Sequence, residues 1–220
     1  MKTILSMILC GISLAAAQGL MAAPASDVIW DGATRAQLAS GDPEAGKTKA
    51  GGCAGCHGAD GTSAAPNYPS LAGQVAAYTF KQLKDYKDGK RTDSPLMTGM
   101  VGGLSEQDMA DLAAFYASQP LPAASGEGGD ARARDLVAGV GGMRLIPPCA
   151  VCHGRHGEGK IVDIPALAGQ QATYFESTMQ NFKTGKRSND IYSRMRLISQ
   201  KLTDGEIKAL AAYYAAMGTQ

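Results

Sequence analysis

The sequence predicts an all-α protein built from two tandem copies of one small helical domain. The first observation is a repeat. Cys53-Ala54-Gly55-Cys56-His57 returns as Cys149-Ala150-Val151-Cys152-His153, and the likeness runs on at a constant offset of 96 residues to Arg91 and Arg187. It pairs Pro69 with Pro165, Ala72-Gly73-Gln74 with Ala168-Gly169-Gln170, and Tyr78 with Tyr174. After a two-residue insertion the offset is 98, pairing Met97 with Met195 and Leu104-Ser105 with Leu202-Thr203. The second observation is that neither half contains an apolar run of period two, the mark of a half-buried strand.

Taken in order, residues 1–23 read as a secretory signal: Lys2 at the start, an apolar run from Ile4 to Ala17, then small residues at Ala22-Ala23. Cys10 leaves with it. The run is too short and interrupted for a comfortable membrane span. Residues 24–41 form an extension holding Trp30, either laid over the first domain or free as a docking arm. The first domain is assigned to 42–120. Asp42-Pro43-Glu44 opens a helix running to about Gly51, because Asp caps, Pro suits the first turn and Glu favours the dipole. A second helix spans about Gln74 to Asp88, with Val75, Tyr78, Leu83 and Tyr86 near one face and Gly89 ending it. Met97 and Met100 are expected in a glycine-containing loop. Ser105-Glu106-Gln107-Asp108 reads as a variant capping box for a terminal helix with Met109, Leu112 and Phe115 or Tyr116 inward. Residues 121–129 are a Pro/Gly/Ser-rich linker, and the second domain occupies 130–220 with Asp130 as its first cap.

The chain has 220 residues, 28 of them Gly and only four Phe. Two domains of that size bury little apolar surface, so a large flat prosthetic group would supply much of each core. C-x-x-C-H is the attachment sequence of c-type haem: two thiols one helical turn apart bond to the vinyl groups, and the adjoining histidine is aimed at the iron. Zinc would need further Cys or His ligands, and the two motifs use every cysteine outside the signal. A thioredoxin-like site would need a βαβ setting. Two covalently bound haem c groups are therefore expected, held by Cys53 and Cys56 and by Cys149 and Cys152, with His57 and His153 as iron ligands.

The sixth ligands follow from the repeat. Met195 lies eight residues before the capping Thr203, and Met97 lies eight before Ser105, which selects Met97 over Met100. A methionine usually fills core gaps, but matched positions across a duplication favour ligation, which raises the potential. In both halves a proline follows the histidine by 12 residues. The carbonyls of Pro69 and Pro165 are the expected acceptors for the other ring nitrogen, fixing tautomer and orientation. His156, in the loop Gly154-Arg155-His156-Gly157, is expected to be solvated, and Tyr213 and Tyr214 to belong to the core.

The order of N-terminal helix, CxxCH, Pro-x-Leu, methionine and terminal aromatic helix resembles class I cytochromes c. The duplication, with Pro-Ser-Leu-Ala-Gly-Gln and Pro-Ala-Leu-Ala-Gly-Gln after the motifs, resembles the dihaem cytochrome c4 family over about Gly41 to Met217. That resemblance implies His/Met ligation at both irons and a periplasmic electron carrier, not an enzyme. Its expected partners are a donor dehydrogenase or quinol-oxidising complex and an acceptor oxidase. No nucleic acid is expected, and the membrane is met at most peripherally. The rival readings are a cytochrome subunit held permanently by a periplasmic dehydrogenase and a dihaem peroxidase. The second would need an open iron face that two symmetric methionines deny.

Charge is uneven. Residues 27–122 hold 8 Lys and Arg against 11 Asp and Glu, a balance of −3, and residues 123–220 hold 12 against 9, a balance of +3. Lys183, Lys186, Arg187, Arg194 and Arg196 are expected to form a basic docking face around the second haem edge, steering an acidic partner.

Overall fold

The structure, a computed structural model, describes residues 25–125, 128–139, 144–160 and 162–218. The signal assigned to 1–23 and part of the linker lie outside the described residues. Eleven α-helices and one 3₁₀ turn make up the regular structure there, with an isolated β-bridge between Lys160 and Ile164.

The first repeat comprises α2 (Pro43–Ala50), α3 (Ala54–His57), α4 (Ala76–Lys87), α5 (Pro95–Val101) and α6 (Glu106–Ser118), preceded by α1 (Gly32–Ala39). The second comprises α7 (Ala131–Ala138), α8 (Cys149–His153), α9 (Ala172–Thr184), a 3₁₀ turn at Ile191–Ser193, α10 (Arg194–Lys201) and α11 (Asp204–Ala215). The caps explain the starts. Asp42 accepts from the Glu44 and Ala45 amides and Asp130 from Ala133. Both terminal helices carry complete reciprocal capping boxes, Ser105 with Asp108 and Thr203 with Glu206. Each such cap is worth about 1 kcal/mol.

Helix α6 is the spine of the first repeat. Helix α2 crosses it with backbone on backbone: a Cβ at Gly46 would run into the Asp111 carbonyl and the Phe115 side chain. On its other flanks α6 packs Met109, Ala110 and Ala113 against Phe80 of α4, with Trp30 and Leu38 of the N-terminal extension closing that cluster. The extension thus covers the first domain, with α1 capped by Asp31. In the second repeat one cluster joins Ala133, Val137, Phe175, Met179, Ile207, Leu210 and Tyr214, and Tyr213 packs at its edge.

Two expectations need correction. Met97 and Met100 lie on a helix, α5, because Ser94 caps it through the Met97 amide and Pro95 takes its first position. Met195 likewise lies on α10, reached through Tyr192 and Ser193 at positive φ. The middle helix α4 also departs from a one-stripe reading. Phe80 and Tyr86 are buried, but so are the polar Lys81, Gln82 and Asp85. The second repeat covers that polar side: Lys81 Nζ lies 2.6 Å from Asp85 Oδ2 and 2.7 Å from the Asn189 carbonyl.

The start of the linker is packed between the repeats. A Cβ at Gly73 would strike Leu121, and one at Gly169 would strike Pro122. Both glycines sit at positive φ, +66° and +68°, where a side chain is strained anyway. None of the described helices is long and apolar enough to cross a membrane.

Candidate functional site

Each CxxCH motif is a single helical turn. The His57 amide donates to the Cys53 carbonyl at 3.0 Å, which puts both thiols and the imidazole on neighbouring positions of that turn. The chain then reverses, and Leu71 and Leu167 donate to Gly61 and Gly157, each at 2.7 Å. These reversals bring the prolines back to the histidines. His57 Nδ1 lies 2.9 Å from the Pro69 carbonyl oxygen, and His153 Nδ1 lies 2.9 Å from that of Pro165. A carbonyl can only accept, so Nδ1 carries the proton and Nε2 is left with its lone pair. Both rings are buried, 5% and 8% exposed. Burial lowers both histidines below their ordinary value, with the proline bond opposing it, and Arg194 lowers His153 further. The imidazoles are therefore neutral near pH 7, the form that binds a metal.

The thiols do not have the character of a redox pair, whose nucleophile is held as a thiolate by a depressed pKa. Burial raises Cys53, and pushes Cys149 up to about 11. Nor do the described residues gather three or more His, Cys, Asp or Glu in a metal-binding cluster. Met97 is half-buried on α5, whereas Met100 is 51% exposed. Met195 is half-buried and packs against the second core. His156 is exposed, its amide donating to Glu158.

Between the repeats lies a buried polar seam that the sequence did not reveal. Arg187 Nη2 donates to the Tyr78 hydroxyl at 3.0 Å, and Arg91 Nη2 to the Tyr174 hydroxyl at 3.2 Å, the same contact made twice in opposite directions. Gln82 Oε1 accepts from Arg91, Arg187 and Asn189. Burial alone would raise the Tyr174 phenol, but Arg91 and Arg187 pull it down to about 8. Burial lowers Lys81, with Asp85 opposing. The expected basic docking cluster is corrected here. Arg187 is 2% exposed within the seam. Arg196 pairs with Asp190 at 2.7 Å, Arg194 with Asp163 at 3.3 Å and Lys183 with Asp204 at 2.8 Å, leaving Lys186 as the exposed cation of the five without such a pair among the described residues. Arg187 is thus interior, and Lys183, Arg194 and Arg196 each have a local carboxylate partner.

The profile of the family described as Cytochrome c matches residues 43–119 and 142–217, one match per repeat. Cytochrome c4 of Pseudomonas aeruginosa is 42% identical over 185 residues, covering 83% of this chain and 92% of that protein. The chain belongs to the cytochrome c4 family. The crystal structure of reduced recombinant cytochrome c4 from Pseudomonas stutzeri superposes with a TM-score of 0.72 at 37% identity, covering 80% of this chain and 99% of that one. A protein named thiosulfate dehydrogenase electron acceptor, from Stutzerimonas stutzeri, is 37% identical and covers 76% of this chain and 79% of its own length. As a cytochrome c4 the chain is a dihaem electron-transfer protein with covalently bound haem c, and its partners are redox proteins.

The residues fit that group. Each motif offers two free thiols and one neutral imidazole with its Nδ1 already hydrogen-bonded. In the seam between the repeats, Arg187 Nη1 is buried without a hydrogen-bond partner. That unmet guanidinium donor suits a ligand bearing carboxylates.

Proposed function

We propose that each repeat of this cytochrome c4 holds one haem c at matched positions. Cys53 and Cys56 would bond the first and Cys149 and Cys152 the second, His57 and His153 would bind iron through Nε2, and Met97 and Met195 would supply the sulfur ligands. The Pro69 and Pro165 carbonyls hold the imidazoles in one tautomer and one orientation. A haem bound there would supply one-electron redox chemistry, so each repeat would carry one electron. The protein's own part is rigidity: both ligand-bearing turns are tied by backbone bonds, and the buried rings cannot swing, so little rearrangement accompanies a change of charge. The observation that supports this reading is the pair of His–Pro hydrogen bonds at one and the same length in two repeats.

With matched methionines the chain is an electron carrier and not an enzyme. We place it in the periplasm, after removal of residues 1–23, with domain limits of 42–120 and 130–220 about a linker at 121–129. There it shuttles electrons from a dehydrogenase or quinol-oxidising complex to a terminal oxidase. The relative named thiosulfate dehydrogenase electron acceptor favours a second reading, in which a periplasmic dehydrogenase is the standing partner. Haem staining on a denaturing gel, a haem-to-protein ratio and an anaerobic reductive titration test the assignment. The expected results are two covalent haems and two electrons per chain, without peroxide turnover. A ratio of one contradicts it.

A further inference from the structure

Two glutamines cross between the repeats, and each lands on the peptide group that holds the other repeat's histidine. The Pro69–Ser70 peptide accepts from His57 Nδ1 through its carbonyl and donates through the Ser70 N–H to Gln170 Oε1 at 2.9 Å. The Pro165–Ala166 peptide accepts from His153 Nδ1 and donates through the Ala166 N–H to Gln74 Oε1 at 2.8 Å. Each glutamine is anchored at both ends. Gln170 Nε2 donates to the Ser70 carbonyl at 3.0 Å and Gln74 Nε2 to the Ala166 carbonyl at 3.1 Å. Each Oε1 also accepts from the next residue's amide, Gln171 at 3.0 Å and Val75 at 2.9 Å. Those backbone donors fix which end of each amide is oxygen. All four crossing residues are buried, at 4% to 8% exposure.

We propose that Gln170 and Gln74 are positioning residues that set the electronic character of the opposite repeat's iron-binding histidine. The inference rests on the proposed ligation by His57 and His153. A peptide whose N–H donates to a strong acceptor carries more negative charge on its oxygen, and chained hydrogen bonds in a low-dielectric interior reinforce one another, by roughly 10–30% per bond. A stronger acceptor at Nδ1 makes the imidazole a more electron-rich ligand. Such a ligand favours ferric iron. Each repeat therefore lowers the potential of its neighbour's haem, and separating the repeats would remove the effect from both.

The test is Gln170→Met, which keeps length and apolar volume but removes the acceptor. In the full chain, carrying its haems, the first repeat's potential should rise and the second repeat's should stay. Gln74→Met should do the reverse. Gln171→Met is the control, since Gln171 also crosses to the first repeat, on the Ser63 carbonyl, without touching the Pro69–Ser70 peptide; it should move neither. A shift confined to the substituted repeat, an equal shift of both, or no shift would overturn the relay. Ring-proton NMR of His57 in the reduced protein separates the two layers. Without the large ring-current shift of an iron-bound imidazole the ligand assignment itself fails, and with that shift but an unmoved potential only the relay fails. In the unsubstituted protein the Ser70 and Ala166 amide protons should exchange slowly, and fast exchange at either would also count against it.

Discussion

The two repeats keep the same backbone around the histidine and differ in what surrounds it. The matched features are the proline bond, the amide of Gly73 or Gly169 donating to the Tyr116 or Tyr214 carbonyl, and the crossing glutamine. Charge is distributed otherwise. The first repeat places Lys81 and Asp85 in the seam, where the second has Ser177 and Asn181, and it sets Asp93 where the second has Asn189. The first repeat also wears the extension, with Ser26 donating to Asp85 and Trp30 covering Phe80. Symmetry is thus retained around the ligand-bearing turns, at the crossing glutamines and at the crossed Arg–Tyr contacts, and relaxed in the charged side chains beside them.

The largest expected asymmetry is electrostatic. Asp85→Ala leaves the Lys81 ammonium, 1% exposed, without its carboxylate. Breaking a buried pair from one side costs about 3–5 kcal/mol. The matching change, Asn181→Ala, removes only a long contact to Asp93 at 3.5 Å and should cost about 1 kcal/mol or less. Chemical denaturation of both variants compares them. Equal losses would mean that the seam is supported alike from both sides.

A smaller difference lies in the terminal caps. Glu206 closes the box of α11 and is joined by Arg144. Burial raises its carboxyl, but Arg144 and Thr203 outweigh this and hold it below its ordinary value of 4.5. Asp108, in the box of α6, is lowered from 3.8 chiefly by Ser105. A folded value below the unfolded one adds stability above the unfolded value, and that stability is lost as pH falls through the folded one. Acid should therefore begin to weaken the second repeat's cap below about pH 4.5 and the first repeat's only below about pH 3.8. Glu206→Gln should cost about 1 kcal/mol at pH 7, and its gap to the unsubstituted protein should close as the pH is lowered. Denaturation at pH 7 and at successively lower pH reads this directly. A gap that does not narrow would put the effect of Glu206 in packing alone.

How much the sequence disclosed depends on the range of the interaction. The duplication, both capping boxes and the start of α2 are written in residues that act within a turn or two, and the helices begin where those residues stand. The same logic was available at Ser94-Pro95, a cap and first-turn proline like Asp42-Pro43, and it would have found α5. Helix α1 left a weaker trace, because Trp30 and Leu38 at its ends, not a stripe along it, hold it down. The seam was hidden for a deeper reason. Periodicity counts apolar residues, so Lys81, Gln82, Asp85 and Arg187 read as solvated until another domain is known to cover them. The basic docking face loses Arg187 on that point, since Arg187 is interior, while Lys183, Arg194 and Arg196 each have a local carboxylate partner and Lys186 stays exposed.

The claim that both repeats build the same site at matched positions is tested most directly at the sulfur ligand of the first iron. Met97 and Met100 share α5 and differ in burial. Met97→Ala should abolish the sulfur-to-iron absorption band of one haem and lower that haem's potential, leaving the second haem unchanged, while Met100→Ala should leave both bands and both potentials in place. Loss of the band in Met100→Ala with its retention in Met97→Ala would show that the repeats do not place their ligands alike.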